Sequence, residues 1–406
     1  MKARKRSFVR GIESATLGAS GFTSVDSKSC VVFNAFACNF PLSSALPFIA
    51  SEVVQWQASH GRNHLPWQQT RDPYRVWLSE IMLPQTQVTT VLGYYERFLQ
   101  QFPDVASLTA APEDDVMALW SGLGYYTRAR NLHKCAKAVV AEHGGHFPRS
   151  AQVLATLPGI GRSTAAAIAS FCFAERVAIL DANVKRVLTR VLAYGEDLSS
   201  SRNEKSLWAM AEALLPHQDH QDLHHAMPRY TQGLMDLGAT ICMPRNPSCL
   251  VCPLQEKCQA AQQGNPQNYP VKTRKTKRTS QAWWLLVLRS ETGQVWLQRR
   301  PSEGGTTGIW AGLFSPPVFA DVSSLEHALQ ALQVKVRERA DWPAQLHVLT
   351  HRDLFLHPVI VDIAGAGKAL DATVLAVEGG WQAAQNWPQL GVPAPVRKLL
   401  EALAAE

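Results

Sequence analysis

The sequence predicts a mainly α-helical domain followed by a smaller α+β domain, and three observations carry that expectation. Apolar residues recur at helical spacing through most of residues 46–264. A polar, basic stretch at 265–281, NPQNYPVKTRKTKRTSQ, then breaks the pattern and reads as a linker. Beyond it, WWLLVLRSETGQVWLQRR has the form of two strands around a short turn, which opens a region of mixed character over 282–406. A chain of 406 residues is also longer than one core usually serves, so two domains are the natural prior.

Composition bounds the class. At 46% hydrophobic and 18% charged, the chain is ordinary globular material. Its formal charge of +7 favours a polyanionic partner without requiring one. No apolar run approaches the ~20 residues that a membrane span needs. The start, MKARKRSFVR, lacks the apolar core and cleavage site of a secretory signal, so a cytoplasmic protein with no membrane partner is expected. Four of the eight cysteines crowd into residues 242–258, a pattern that points to metal in a reducing compartment rather than to disulfides.

Taken in order, residues 1–45 show no periodicity and read as a disordered extension. A first helix spans Phe48–His60, with Ile49, Val53 and Trp56 on one face and Gly61 as its stop. In TRDPYRVWLSEIMLPQTQVTTVLGYYERFLQQF, the residues Trp77, Ile81, Val88, Val91 and Leu92 keep helical spacing. Glu80 is the anomaly there, because Trp77 and Leu83 flank it on the helix. A carboxyl group held among apolar neighbours has its pKa raised, as a general acid requires. The plainer reading is a surface glutamate at the edge of an amphipathic face.

Further helical patterns fill 104–143, interrupted by SGLGYYTRARNLHKCAKAV. Two glycines make a turn there, two tyrosines follow, and Arg128, Arg130, Lys134 and Lys137 share a helix face. Aromatics beside a basic stripe suit a nucleic-acid surface, although a solvated basic helix with packed tyrosines fits equally well.

The stretch Leu157–Val187, LPGIGRSTAAAIASFCFAERVAILDANVKRV, organises what surrounds it. Gly159 and Gly161 form a tight turn ahead of a helix whose first N–H groups are free to hold an anion such as a DNA phosphate. At the far end, Asp181 and Asn183 stand just ahead of a basic helix that carries Lys185. The competing reading is a plain loop between helices. Helical patterns continue to about residue 240, and HQDHQDLHH, with histidines at 217, 220, 224 and 225, reads as a polar loop. Cys242, Cys249, Cys252 and Cys258 follow, separated by six, two and five residues. Four thiolates on a short loop suit structural zinc or an iron–sulfur cluster, and spacing alone does not separate the two.

In the last region the turn falls at Glu291-Thr292-Gly293, followed by a Gly-rich loop with GIWAGLFSPPVF. A helix is expected near Leu325–Val336, strand-like LHVLTHRDLFLHPVIVDI comes next, and a last helix holds Val396, Leu399, Leu400 and Leu403.

The turn LPGIGRSTA, the carboxylate in ILDANVKRV and the six-two-five cysteine spacing together resemble the endonuclease III superfamily of helix–hairpin–helix DNA glycosylases. WLSEIMLPQTQV, GLGYYTRARNLHK and WWLLVLRSETGQVWLQRRP narrow the resemblance to the MutY family of adenine DNA glycosylases, over about residues 46–406. The resemblance implies a glycosylase domain of two helical lobes over 46–264, with the active site in the cleft between them. It implies one 4Fe–4S cluster on Cys242, Cys249, Cys252 and Cys258, shaping a DNA-binding loop. It also implies a Nudix-like domain over 282–406 that inspects the base opposite the target. The implied activity is base-excision repair by a monomer that hydrolyses the N-glycosidic bond of adenine mispaired with 8-oxoguanine or guanine in double-stranded DNA.

By the same resemblance, Glu80 is the acid and water activator, and Asp181 stays ionised to stabilise positive charge on the sugar. Asn183 supports Asp181, and Arg62 belongs to the base pocket. Gln85 and Tyr125 wedge into the duplex once adenine is flipped out, while Arg128, Gly159, Gly161 and Lys185 hold DNA. Ser163 stands where relatives that also cut the backbone carry a Schiff-base lysine, so hydrolysis without strand cleavage is implied.

The chain departs from the family pattern at four places. Pro84 replaces a glutamine, and Ala182 replaces a glycine, where a positive φ would be strained. The Phe-Ser-His recognition motif is not preserved around Asp353–Phe355, and no acidic Nudix hydrolase box is present. Alternatives remain at this stage. An endonuclease III-like glycosylase and lyase on damaged pyrimidines is opposed by Ser163 and by the C-terminal domain. A non-catalytic iron–sulfur DNA-binding protein would use the same hairpin and cysteines only to grip. A nucleotide hydrolase is weakened by the missing acidic box.

Overall fold

Helices account for most of the chain from Leu42 to Gln262, and a mixed sheet with two helices accounts for the rest. The computed structural model describes residues 42–274, 277–301, 308–364 and 379–405, so the extension expected over 1–45 falls outside them up to residue 41. No described helix is long and apolar enough to cross a membrane.

Two apolar cores build the helical part. The first gathers α2 (Pro73–Met82), α3 (Val88–Gln101), α4 (Val105–Ala110), α5 (Glu113–Trp120), α6 (Thr127–His143), α7 (Ala151–Leu154) and one side of α8 (Arg162–Phe173). The second gathers α1 (Leu42–His60), the other side of α8, α9 (Ala182–Val191), α10 (Ser201–Ala213) and α11 (Leu223–Thr240). Helix α8 serves both because its alanines are small on every side, with Ala165 and Ala169 in one core and Ala166 and Ala167 in the other. That double burial makes it the wall between two lobes.

The polar loop expected over HQDHQDLHH is shorter than its composition implies. Leu223 begins α11, and His224 and His225 occupy its first turn. Buried Ala226 and Met227 pull this turn into the helix, and His225 Nδ1 lies 2.5 Å from Asp222 Oδ1 at the N-terminus. After α11, the chain runs through the cysteine loop to a short helix, α12 (Gln259–Gln262).

The linker expected over 265–281 is anchored at both ends. Val271 accepts a hydrogen bond from the Leu198 N–H at 3.0 Å, and Thr273 binds Asp197. Strand β1 (Thr279–Arg289) then begins inside the stretch.

The sheet adds β2 (Val295–Arg299), β3 (Phe314–Ser315), β4 (Val318–Phe319), β5 (Val336–Asp341), β6 (Gln345–Val348), β7 (Arg352–Ile363) and β8 (Gly379–Gln382). Its order is β3-β2-β1-β7-β5, with β4 beside β1, β6 beside β7 and β8 beside β2. The central pair β1 and β7 is parallel, with Trp284 opposite His357. Leu285 and Val287 of β1 face one core while Leu286 and Leu288 face another, which explains why this strand is a continuous apolar run rather than an alternation.

Two expectations in this region need correction. The helix near Leu325–Val336 is α13 (Val322–Ala331), whose start is fixed by Asp321 accepting from the Ser324 N–H at 2.7 Å. It stops because Gln333 turns to φ 50°, and Val336 belongs to β5. The strand-like LHVLTHRDLFLHPVIVDI is two strands, β6 and β7. They join at a tight turn over Thr350 and His351 that the Leu349 N–H closes onto the Arg352 carbonyl at 2.8 Å. The final helix, α14 (Ala394–Ala404), buries Val396, Leu399, Leu400 and Leu403 as its periodicity implies.

This sheet region and the first lobe share a core: Met117, Trp120 and Leu123 belong to the same cluster as Leu313, Trp387 and Val396. Polar ties reinforce the seam. Ser121 Oγ and the Tyr126 hydroxyl donate to the Val392 carbonyl at 2.6 and 3.1 Å, and Arg299 binds Asp114 at 2.7 Å. Residues Ser43–Glu406 accordingly form one compact unit.

Candidate active site

Glu80 lies in the last turn of α2, which Asp72 opens by accepting from the Tyr74 N–H at 2.9 Å. Tyr74, Val76, Trp77, Leu78, Ile81 and Met82 are all buried, so the helix is enclosed and Glu80 shares that enclosure. Its residual exposure comes from a cavity of about 260 Å³. Desolvation, with the nearby Asp181 charge as a second cause, pushes the Glu80 carboxyl up to about 8. At neutral pH this group therefore keeps its proton.

Asp181 is the N-cap of α9 and accepts from the Val184 N–H at 2.7 Å. Its φ is −74°, and Ala182 is absent from the left-handed residues, so the glycine-to-alanine departure introduces no backbone strain. Burial raises the Asp181 carboxyl from its ordinary range, while the Val184 and Asn183 N–H groups and the Arg186 and Lys185 charges pull it back. The two carboxyls thus have different surroundings. Asp181 receives donors and cations, and Glu80 receives mainly apolar walls.

Asn183 is held from two sides. Its Oδ1 accepts from Arg186 Nη2 at 2.9 Å, and a Cβ on Gly238 would meet the Asn183 Cβ at 2.6 Å. Only glycine lets α11 approach α9 this closely.

The turn before α8 needs glycine once. Gly159 has φ 76°, and a Cβ there would lie 2.6 Å from the Asn131 Cβ. Gly161 is in extended backbone as the N-cap of α8, with nothing within 4 Å of a Cβ, so its surface is open to an incoming group. Ser163 accepts from the Leu180 N–H at 3.2 Å, which ties the start of α8 to the residue just before Asp181.

The cavity beside Glu80 is lined by Arg62, Trp67, Gln68, Phe171, Gln232 and others from α1, α2 and α11. Arg62 is fixed by Asp236, whose side chain is fully buried: Nε donates at 2.7 Å and the Arg62 backbone N–H at 3.0 Å. Gln232 Nε2 donates to the same carboxylate at 3.0 Å. The sequence reading included Arg62 but missed Asp236 and Gln232.

Gln85 and Tyr125 come together although forty residues separate them. Both adopt left-handed backbone, with φ 59° and 51°, and the Tyr125 hydroxyl donates to Gln85 Oε1. Arg128 sits beneath them. Its Nη1 donates to the carbonyls of Ile81, Met82 and Pro84 at 2.9, 3.0 and 2.8 Å, and its guanidinium lies 5.1 Å from the Tyr125 ring centroid. Its charge is therefore engaged inside the protein, closing the C-terminus of α2. Lys185 is likewise paired, with Glu204.

The four cysteines Cys242, Cys249, Cys252 and Cys258 line one apolar cavity with Val187, Leu237 and Leu254. Among the described residues, no three His, Cys, Asp or Glu side chains close on a single metal ion. Four thiols around one apolar space, wider than a lone ion needs, fit a multi-atom cluster. Fully buried Arg190 supports the loop by donating to the Cys242 Sγ at 3.3 Å and to the Met243 and Pro244 carbonyls at 2.7 and 3.1 Å. Arg186 Nε adds a bond to the Cys242 carbonyl at 2.7 Å. One turn apart on α9, these two arginines connect the cysteine loop to the helix that Asp181 caps.

Residues 78–213 match the HhH-GPD superfamily of base excision DNA repair proteins, and residues 283–402 match the NUDIX domain. The class is a base-excision DNA repair protein with an appended Nudix domain. An adenine DNA glycosylase of Buchnera aphidicola subsp. Baizongia pistaciae is 35% identical over 353 residues, covering 86% of this chain and 94% of the relative. The Homo sapiens adenine DNA glycosylase is 42% identical over 219 residues, covering 52% of this chain and 39% of its own length. A solved structure of a thermostable thymine-DNA glycosylase aligns with TM-score 0.46 at 28% identity, covering 54% of this chain and 97% of that one. The chain belongs to the adenine DNA glycosylase family, enzymes that remove adenine from DNA in base-excision repair.

Proposed function

We propose that the chain hydrolyses the N-glycosidic bond of adenine mispaired with 8-oxoguanine or guanine in double-stranded DNA. The observation that carries this reading is Glu80, a carboxyl group kept protonated at neutral pH beside a cavity and next to a second, better-solvated carboxylate, Asp181. Adenine leaves a sugar only when protonated, and its departure builds positive charge on the deoxyribose. Glu80 delivers the proton, and Asp181 stays ionised opposite the sugar. Asn183 holds the Asp181 end of α9 in place, and Arg62 fixes the wall of the base pocket. Once Glu80 has given up its proton, it activates the attacking water.

DNA is gripped at Gly159 and Gly161, where the open N-terminus of α8 meets a phosphate. Gln85 and Tyr125 fill the space vacated by the flipped nucleotide, supported from below by Arg128, with Lys185 adding positive potential at the α9 surface. Ser163 cannot form a Schiff base, so the product is an abasic site in an uncut strand. Cys242, Cys249, Cys252 and Cys258 would hold one 4Fe–4S cluster, whose part is to fix the shape of the DNA-facing loop. The helical domain over 46–264 performs the chemistry as a monomer, and the Nudix-like domain over 282–406 inspects the opposite base.

The test is single-turnover excision on duplexes carrying adenine opposite 8-oxoguanine, guanine or thymine, resolved after alkali. Cleavage at the first two and none at the third is expected, with no strand break before alkali and no borohydride-trapped complex. A trapped covalent complex in high yield overturns the monofunctional reading.

A further inference from the structure

Three side chains from distant parts of the chain form a hydrogen-bonded row at the cleft. The Tyr125 hydroxyl donates its single proton to Gln85 Oε1, and its oxygen lies 3.0 Å from Thr350 Oγ1. With that proton committed, the second bond has one polarity: Thr350 donates and Tyr125 accepts. The Thr350 oxygen then has lone pairs left and no proton to offer.

The turn that presents Thr350 is held rigidly. Leu349 closes it onto Arg352 at 2.8 Å, and Arg278 binds both the Thr350 carbonyl, at 3.3 Å, and the Asp353 carboxylate. Thr350 itself is exposed. The residues at the expected recognition motif are otherwise engaged or lack a hydroxyl. Asp353 is paired with Arg278, Leu354 is fully buried, and Phe355 lies on the outer face of β7 opposite Leu346. Thr350 is the hydroxyl that this hairpin brings to the wedge residues.

We propose that Thr350 is a specificity-determining residue that offers a fixed hydrogen-bond acceptor to the base opposite the target adenine. Guanine presents N7 as an acceptor there, and two acceptors do not pair. 8-Oxoguanine carries a hydrogen on N7 and donates to it. The row Gln85–Tyr125–Thr350 therefore selects the oxidised base by polarity, and the preference is set through the wedge residues themselves. This inference rests on the reading that the enzyme acts on adenine opposite 8-oxoguanine and guanine.

The test uses the full chain and single-turnover rates on adenine opposite 8-oxoguanine, guanine and 8-oxo-7-deazaguanine, which keeps the 8-oxo group and has C–H at position 7. Thr350→Val is expected to slow the 8-oxoguanine substrate about tenfold while leaving the guanine substrate within about twofold. Thr350→Ser, which keeps the hydroxyl, should retain the wild-type ratio. Wild type should treat the deaza base much as it treats guanine. Equal loss on both natural partners, no loss on either, or full wild-type activity on the deaza duplex overturns the proposal. The deaza arm needs no variant, so it decides even if a substitution disturbs folding. Failure of the underlying reading looks different: wild type would then excise adenine from none of the duplexes.

Discussion

The Asp181 carboxylate, capping α9 through the Val184 N–H at 2.7 Å, raises the proton affinity of Glu80 in the last turn of α2. Two segments a hundred residues apart thereby meet as an electrostatic pair across the two lobes. Each carboxyl is buried, yet only one is surrounded by donors and cations, and that asymmetry separates an acid from an ionised partner.

Activity should follow that pair with pH. Glu80 acts protonated, so kcat/KM in the free enzyme should fall about tenfold per unit as pH rises above about 8. Asp181 acts ionised and its carboxyl is raised above the ordinary range, so an acid limb should begin above pH 4. A pH–rate profile under single-hit conditions checks both limbs.

Stability should carry the opposite signature of the same group. The folded-state value of about 8 lies above the model value of 4.5, so the stability associated with a neutral Glu80 is complete below 4.5 and is lost as pH rises to 8. Glu80→Gln removes that loss. The variant should melt higher than wild type at pH 8 by an amount on the order of a few kcal/mol, and near wild type at pH 4.5. Calorimetry at the two pH values tests it.

Arg62→Ala should destabilise the chain by about 3 kcal/mol, because it strands a fully buried carboxylate at Asp236. The double variant with Asp236→Asn should recover most of the loss, since no buried charge remains. Denaturant titration of the two single variants and the pair measures the coupling.

Arg190→Met keeps the volume at a fully buried site and removes the donors that hold Cys242, Met243 and Pro244. Iron and sulfide per chain should drop at least twofold, and duplex affinity should drop with them, while Arg202→Met on the exposed surface of α10 should change neither. Metal analysis of the purified variants decides this.

Much of the site was legible because its chemistry is written locally. Glu80 among apolar helix positions, Asp181 ahead of a basic helix and four cysteines in one loop are patterns within a few turns of chain. What was not legible depends on partners far away in sequence. Arg128 reads as a phosphate ligand from its stripe, yet carbonyls more than forty residues away claim its guanidinium. Asp236 gives no local sign of its role, because Arg62, its partner, lies 174 residues away. In the fold, apolar spacing located α13 but not its end, since the left-handed turn at Gln333 carries no glycine to announce it. The two strands β6 and β7 were read as one because Thr350 and His351 make a tight turn without glycine or proline.

The central claim, that a buried and protonated Glu80 delivers the proton to adenine, is tested most directly by single-turnover excision at pH 7 with wild type and Glu80→Gln. Both proteins are run on one duplex carrying adenine opposite 8-oxoguanine. The expected result is a loss of at least about 100-fold in the variant with duplex affinity unchanged. Equal excision by the two proteins would contradict it.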